Sequence, residues 1–158
     1  PEPEVLVAAP APAPVVVIPT PVAAPTPEPL RYRALVVDDS LAIQKSLQLK
    51  LEALEQIGGV DFAESGEAAL AMAANNTYHL IFLDVMMPGM DGYETCTQLR
   101  KNPAYKKTPI IMVSGKTSPM DEVKGIMAGC TTYLTKPVQE EAFQKLSLRV
   151  LAWLTARS

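Results

Sequence analysis

Cysteine is scarce in this sequence: Cys96 and Cys130 stand far apart and outside any C-x-x-C spacing. Two small, largely buried thiols in a reducing, cytoplasmic compartment are expected. No basic surplus exists either. Residues 31–158 hold as many acidic as basic side chains, and residues 1–30 hold Glu2, Glu4 and Glu28 with no Lys or Arg. A neutral body offers no general attraction for nucleic acid, which needs a basic face. Long apolar runs are absent from the N-terminal stretch, where Val5–Ala9 and Val15–Ile18 are the longest. Both are far short of the ~20 residues that span a bilayer. No basic region precedes a long proline-free apolar stretch, so no signal peptide is read. The chain starts with Pro rather than Met, which points to a piece of a longer protein.

Proline is abundant but unevenly placed. Residues 1–30 hold 10 of the 15 prolines. Proline fixes φ and lacks the amide donor, so this stretch builds neither helix nor central strand. It reads as an extended, disordered linker of roughly 90 Å at full reach, at ~3.1 Å per residue. A tether is its expected role. A ligand for a proline-binding module is the alternative, and no basic residue within residues 1–30 flanks the P-x-P runs to fix a docking direction.

From Arg31 onward, short apolar runs alternate with helical patterns. Strands are expected over Ala34–Val37, Val60–Ala63, Leu80–Leu83, Ile110–Val113 and Thr132–Leu134. Helices are expected over Ser40–Gln56, Gly66–Asn75, Gly92–Lys101, Pro119–Ala128 and Val138–Thr155. Ile43, Leu47, Leu51 and Leu54 recur at helical period. Asp91 and Ser118 suit N-caps, and Gly129 suits a stop. Five β-α units predict a three-layer α/β sandwich around a parallel five-stranded sheet. Right-handed crossovers bring all strand C-termini to one edge.

That edge collects charge. Asp38 and Asp39 follow the first strand, Asp84 the third, Ser114 the fourth and Lys136 the fifth. A lone Asp after a strand is commonly a helix cap or turn former, but five such positions converging on one edge describe a site. Two carboxylates roughly 4 Å apart repel by about 4 kcal/mol at an effective dielectric near 20. A hard cation such as Mg²⁺ relieves that repulsion. Asp38 and Asp39 would hold the cation, and Asp84 would act as a carboxylate nucleophile between metal and lysine. Lys136 would neutralise a transferred phosphoryl group from the opposite side, and Ser114 would donate to a phosphoryl oxygen. Gly115-Lys116-Thr117 looks like the end of a phosphate-binding loop, but that motif needs glycine at position 110, which is Ile.

Four segments carry a resemblance: Val36-Val37-Asp38-Asp39-Ser40, Leu83 through Gly92, Ile111 through Lys116, and Tyr133-Leu134-Thr135-Lys136-Pro137. On these, residues 31–158 resemble a response-regulator receiver domain of two-component signalling. The resemblance implies a flavodoxin-like strand order 2-1-3-4-5, with Asp84 as phosphoacceptor and a histidine kinase or phosphotransfer domain as donor. It implies Mg²⁺ on Asp39, Asp84 and the Met86 backbone carbonyl, with Asp38 acting through water. Ser114 and Tyr133 match the two switch positions, and the Lys136–Pro137 bond is expected to be cis. By the same resemblance the domain is a signalling module rather than an enzyme. It assists its own phosphorylation and slow dephosphorylation, and it reads out through the fourth helix, fifth strand and fifth helix to a downstream protein or a second copy.

Met86 and Lys116 fall where the family tunes hydrolysis, and an apolar Met86 implies a long phosphoryl lifetime. His79, just before the third strand, is read as a surface or strand-entry residue, not as a phosphoryl carrier. Met120 and Met127 are placed in the core, because their i, i+7 spacing fits a buried stripe; adaptable docking residues on the readout face are the alternative. The segments from Asp91 to Pro137 are similar to single-domain pilus and chemotaxis regulators. A receiver within a hybrid kinase or multidomain regulator, and a non-phosphorylated adaptor, are the alternatives. No effector module is expected after the last helix.

Overall fold

Strand β1 runs Tyr32–Val37, and its last four residues are fully buried. Buried on both faces, such a strand must be apolar throughout, which is why Ala34 to Val37 read as an unbroken run. The computed structural model describes residues 31–115 and 118–157. The proline-rich stretch 1–30, read as a linker, and Lys116 lie outside the described residues.

The order continues α1 Leu41–Glu52, β2 Ile57–Ala63, α2 Gly66–Asn75, β3 Leu80–Asp84, α3 Gly92–Lys101, a short 3₁₀ turn Pro103–Tyr105, β4 Ile110–Ser114, α4 Pro119–Ala128, β5 Thr132–Thr135 and α5 Glu140–Arg157. The strands form one parallel sheet in the order β2-β1-β3-β4-β5, the flavodoxin-like arrangement. Alternate strand residues face opposite layers. Leu35, Val37, Ile81, Leu83, Ile110 and Met112 pack with Ala69, Ala73, Cys96, Leu99 and Ala128 from α2, α3 and α4. Ala34, Val36, Phe82, Ile111 and Val113 pack with Leu47, Leu51, Phe143, Val150 and Leu154 from α1 and α5. Each fully buried Leu, Ile or Phe contributes about 1.5–3 kcal/mol.

Helices α2, α3 and α4 have the limits read from sequence, and their caps explain why. Ser65, Asp91 and Ser118 accept from the backbone amides of Ala68, Glu94 and Asp121, and Gly129 ends α4 at φ 97°. Helix α1 stops at Glu52, four residues earlier than expected. The Leu54 and Ile57 amides bond to the Leu51 and Leu54 carbonyls and turn the chain into β2. Strand β2 in turn starts three residues early, at Ile57. Gly58 and Gly59 argue locally against a strand, but pairing with β1 recruits them through an irregular register.

Met120 and Met127 correct the core placement. They are 65% and 82% exposed, with Val123 and Ile126 exposed beside them. Helix α4 buries its small residues Gly125 and Ala128 instead. Among the described residues, no helix is long and apolar enough to cross a membrane.

Candidate functional site

Strand register assembles the site. Val37 pairs with Leu83, Leu83 with Met112, and Ser114 with Thr135. Asp38 and Asp84 therefore end level with Val113 and Leu134, and Ser114 and Lys136 follow one and two residues beyond that level, on the C-terminal edge of four adjacent strands. Strands β3 and β4 extend one residue beyond expectation, so Asp84 and Ser114 are their final residues. Both side chains are buried, as is Asp38, whereas Asp39 is exposed.

The Lys136 ammonium donates to Asp38 Oδ2 and to Asp84 Oδ1, both at 3.1 Å. Charge alone placed the lysine against Asp84 and gave Asp38 and Asp39 the same metal role, while the family resemblance put Asp39 on the metal and Asp38 behind water; neither paired Asp38 with the lysine. The structure separates the two aspartates. Asp38 turns inward to share the lysine, accepts from the Ser40 amide at 2.8 Å, and offers its carbonyl to Gln44 Nε2 at 2.6 Å. Gln44, a buried polar residue in α1, escaped sequence reading because nothing local distinguishes it from a solvent-facing glutamine. The Lys136–Pro137 bond is cis, and the Lys136 amide bonds to the Ser114 carbonyl at 2.8 Å, tying β5 to β4 at the site.

Burial raises the Asp84 carboxyl above its ordinary pKa, and the Asp38 charge adds to this; Lys136 and the Met86 amide oppose it. Burial alone would lower the Lys136 ammonium, but hydrogen bonds and charges from Asp38 and Asp84 outweigh it and raise its pKa. One carboxylate oxygen from each of Asp38, Asp39 and Asp84 lies within 4.8 Å of the others. With a single lysine between them, the three carboxylates leave two negative charges uncompensated, two of the three groups being buried. An all-oxygen set with that charge and one solvent-facing member fits a hard divalent cation that keeps waters.

Helix α3 abuts the acceptor. The Gly92 amide bonds to the Val85 carbonyl at 2.9 Å, and any Cβ at Gly92 would collide with the Asp84 carbonyl and lie 2.8 Å from Val85 Cα. The intervening turn uses Gly89 at φ 75°, a conformation suited to glycine after proline. Met86 projects outward, 58% exposed. Tyr133 leans between α3 and α4, its hydroxyl donating to the Asp121 carbonyl at 2.6 Å. Cavities of about 350 and 290 Å³ flank β5, one against α4 beside Ile126 and Tyr133, the other against α5 beside Val150 and Trp153.

His79 lies at the other edge of the sheet, just before β3. Its Nδ1 accepts from the Arg33 amide at 3.0 Å, and its ring meets Tyr32 edge-on at 5.3 Å. It has no part in the acidic cluster. Cys96 is buried and Cys130 only half-buried, and both are free thiols.

Fold and site together define a flavodoxin-like domain with an acidic pocket at the carboxyl edge of its sheet. The chain belongs to the response regulator receiver domain family, whose model matches residues 34–147. It is 40% identical over 111 residues to Protein PilG of Pseudomonas aeruginosa, covering 69% of this chain and 79% of PilG. It is also 40% identical over 126 residues to the transcriptional regulatory protein ResD of Bacillus subtilis, covering 80% of this chain but 49% of that longer protein. The structure of the Vibrio cholerae chemotaxis protein CheY4 superposes with a TM-score of 0.71 at 35% identity, covering 76% of this chain and 98% of that one. Receiver domains of two-component systems interact with histidine kinases and generally bind Mg²⁺ at an acidic pocket.

Proposed function

We propose that this domain accepts a phosphoryl group on Asp84 from the phosphohistidine of a histidine kinase or phosphotransfer domain. The observation that carries the reading is the placement of Asp84: buried at a strand end, bonded to Lys136, and beside two further carboxylates. The Asp84 carboxylate attacks phosphorus, an O–P bond forms, and the P–N bond breaks with its electron pair returning to the imidazole. Lys136 neutralises the charge gathering on the phosphoryl oxygens, and Ser114 donates to one of them. Asp38, Asp39, Asp84 and the Met86 carbonyl would hold Mg²⁺, which, when bound, supplies further neutralisation of the phosphoryl oxygens. Asp38 also keeps Lys136 pointed at Asp84, a role its 3.1 Å contact supports.

Phosphorylation adds roughly −1.5 to −2 charge at one point. Ser114 moves toward it, Tyr133 settles inward, and the α4-β5-α5 face changes shape as a population shift between two packings. The exposed Met120, Ile126 and Met127 supply an adaptable apolar surface there for a downstream partner. A cytoplasmic location goes with such a donor. Residues 1–30 act as the tether.

Incubation with acetyl phosphate and Mg²⁺, followed by intact mass measurement, tests the reading. One phosphoryl group should add to the wild type, and none after chelation of Mg²⁺ or in Asp84→Asn. Modification that survives Asp84→Asn removes the proposal.

A further inference from the structure

Three oxygens meet between α3, α4 and β5. Tyr133 Oη lies 2.6 Å from the Asp121 carbonyl, Tyr93 Oη lies 2.8 Å from Tyr133 Oη, and Tyr93 Oη lies 3.2 Å from the same carbonyl. Two hydroxyls own two protons, so only two of these three contacts are hydrogen bonds at once. The shorter pair decides: Tyr133 donates to Asp121, and Tyr93 donates to Tyr133. A donated bond polarises the hydroxyl that receives it and strengthens the bond that hydroxyl makes in turn. Tyr93 thereby directs the Tyr133 hydroxyl onto α4.

Gly125 completes the arrangement. A Cβ there would strike the Tyr133 ring carbon Cε2 and come within 3.0 Å of Tyr133 Oη and Cys130 Sγ. Glycine inside a helix is otherwise unfavourable, so its place in α4 is explained by the ring that occupies the space. Tyr93 also follows Gly92 directly, and Gly92 is fastened to the Val85 carbonyl and packed on the Asp84 backbone. A shift of the Asp84–Val85 backbone is thus passed to the first turn of α3 and on to Tyr93.

We propose that Tyr93 is a positioning residue: with Gly125 it forms a seat for Tyr133 between α3 and α4, coupling the loop after Asp84 to β5 by a route that does not pass through Ser114. This rests on the reading of Tyr133 as a switch whose inward position phosphorylation favours. The seated ring packs against the core that contains Cys96, Leu99 and Ala128, so the seat is that inward position. By linkage, because a phosphoryl mimic favours the seated ring, a change that weakens seating weakens mimic binding, by at most the seating free energy lost.

The test uses the full chain with ¹³C-labelled tyrosine rings, observed by NMR, and titration with beryllofluoride in Mg²⁺. Tyr93→Phe removes one hydroxyl and keeps the ring; Gly125→Ala blocks the seat sterically. Both should move the Tyr133 ring resonance in the same direction without any mimic. Both should weaken beryllofluoride binding, Tyr93→Phe by about fivefold, as befits one neutral hydrogen bond. Lys101→Ala, at the exposed end of the same helix, should change neither signal. An unmoved Tyr133 resonance in Tyr93→Phe overturns the seat whatever the mimic does. A moved resonance with unchanged mimic affinity overturns the coupling. A wild type that binds no beryllofluoride overturns the phosphoacceptor reading and the coupling with it, and the resonance still decides the seat.

Discussion

Lys136 Nζ lies 3.1 Å from Asp84 Oδ1, and that contact joins the last strand of the sheet to its middle strand at the site. The lysine side chain is 24% exposed and the aspartate 4%, so the lysine is the more open partner of the pair. A group approaching Asp84 from solvent meets the ammonium beside it. Lys136→Met keeps the stem and removes the charge. Phosphorylation by acetyl phosphate should slow by about 10²–10³, the usual effect of losing one donor to developing charge. A rate within about threefold of wild type would contradict the role given to Lys136. Time-resolved intact mass measurement decides.

Met86 sets a second expectation. Its side chain is apolar and 58% exposed, so it cannot orient a water for attack on the phosphorylated aspartate. The phosphoryl group should persist for minutes or longer, and Met86→Asn should shorten its life several-fold. Phosphate release within seconds from the wild type would rule this out.

His79 makes stability depend on pH. Burial lowers its pKa below the ordinary 6.5, and the neighbouring Arg33 charge, itself paired with Asp61, lowers it further. Its Nδ1 must stay unprotonated to accept from the Arg33 amide. Below pH of about 6.5 the unfolded chain takes up a proton that the folded chain refuses. Stability is therefore full above that pH and falls as pH drops toward the lower folded pKa. His79→Asn keeps an acceptor that does not titrate, and should flatten this slope in urea titrations between about pH 5 and 7. An identical slope in the variant would place the effect elsewhere.

Arg100 holds the opposite end of the sheet together. Its guanidinium donates to the carbonyls of Gly129, Tyr105 and Thr108 at 2.7–2.8 Å, joining the segments that follow α3 and α4. Arg100→Met leaves those carbonyls without this donor. Unfolding free energy should fall by about 3 kcal/mol, with phosphorylation by acetyl phosphate retained. A loss below about 0.5 kcal/mol would show that water replaces the guanidinium at no cost.

Much of this was legible because the residues concerned act locally. Ser65, Asp91 and Ser118 cap the helices that follow them by bonding amides three residues away, and that geometry is written in the sequence. Apolar runs that end in Asp38 and Asp84 announce strands buried on both faces with charge at one end. Where distant pairing intervened, the reading slipped. Gly58 and Gly59 became strand because β1 lay alongside, and α1 ended early because its chain had to reach that pairing. Met120 and Met127 have a spacing that suits burial, yet α4 approaches the sheet through Gly125 and Ala128 and leaves its methionines outside.

The amino-acid order alone determined five β-α units, a parallel sheet, and the arrival of three aspartates, a serine and a lysine at one edge, since strand polarity and crossover handedness permit little else. Tertiary structure decided which of the two adjacent carboxylates the lysine holds. Adjacent residues on a chain leaving a strand point in different directions, so Asp38 is drawn inward by Lys136 and Ser40 while Asp39 faces solvent. It also decided the seat of Tyr133, because Tyr93, Asp121 and Gly125 lie on two helices whose approach no local pattern encodes.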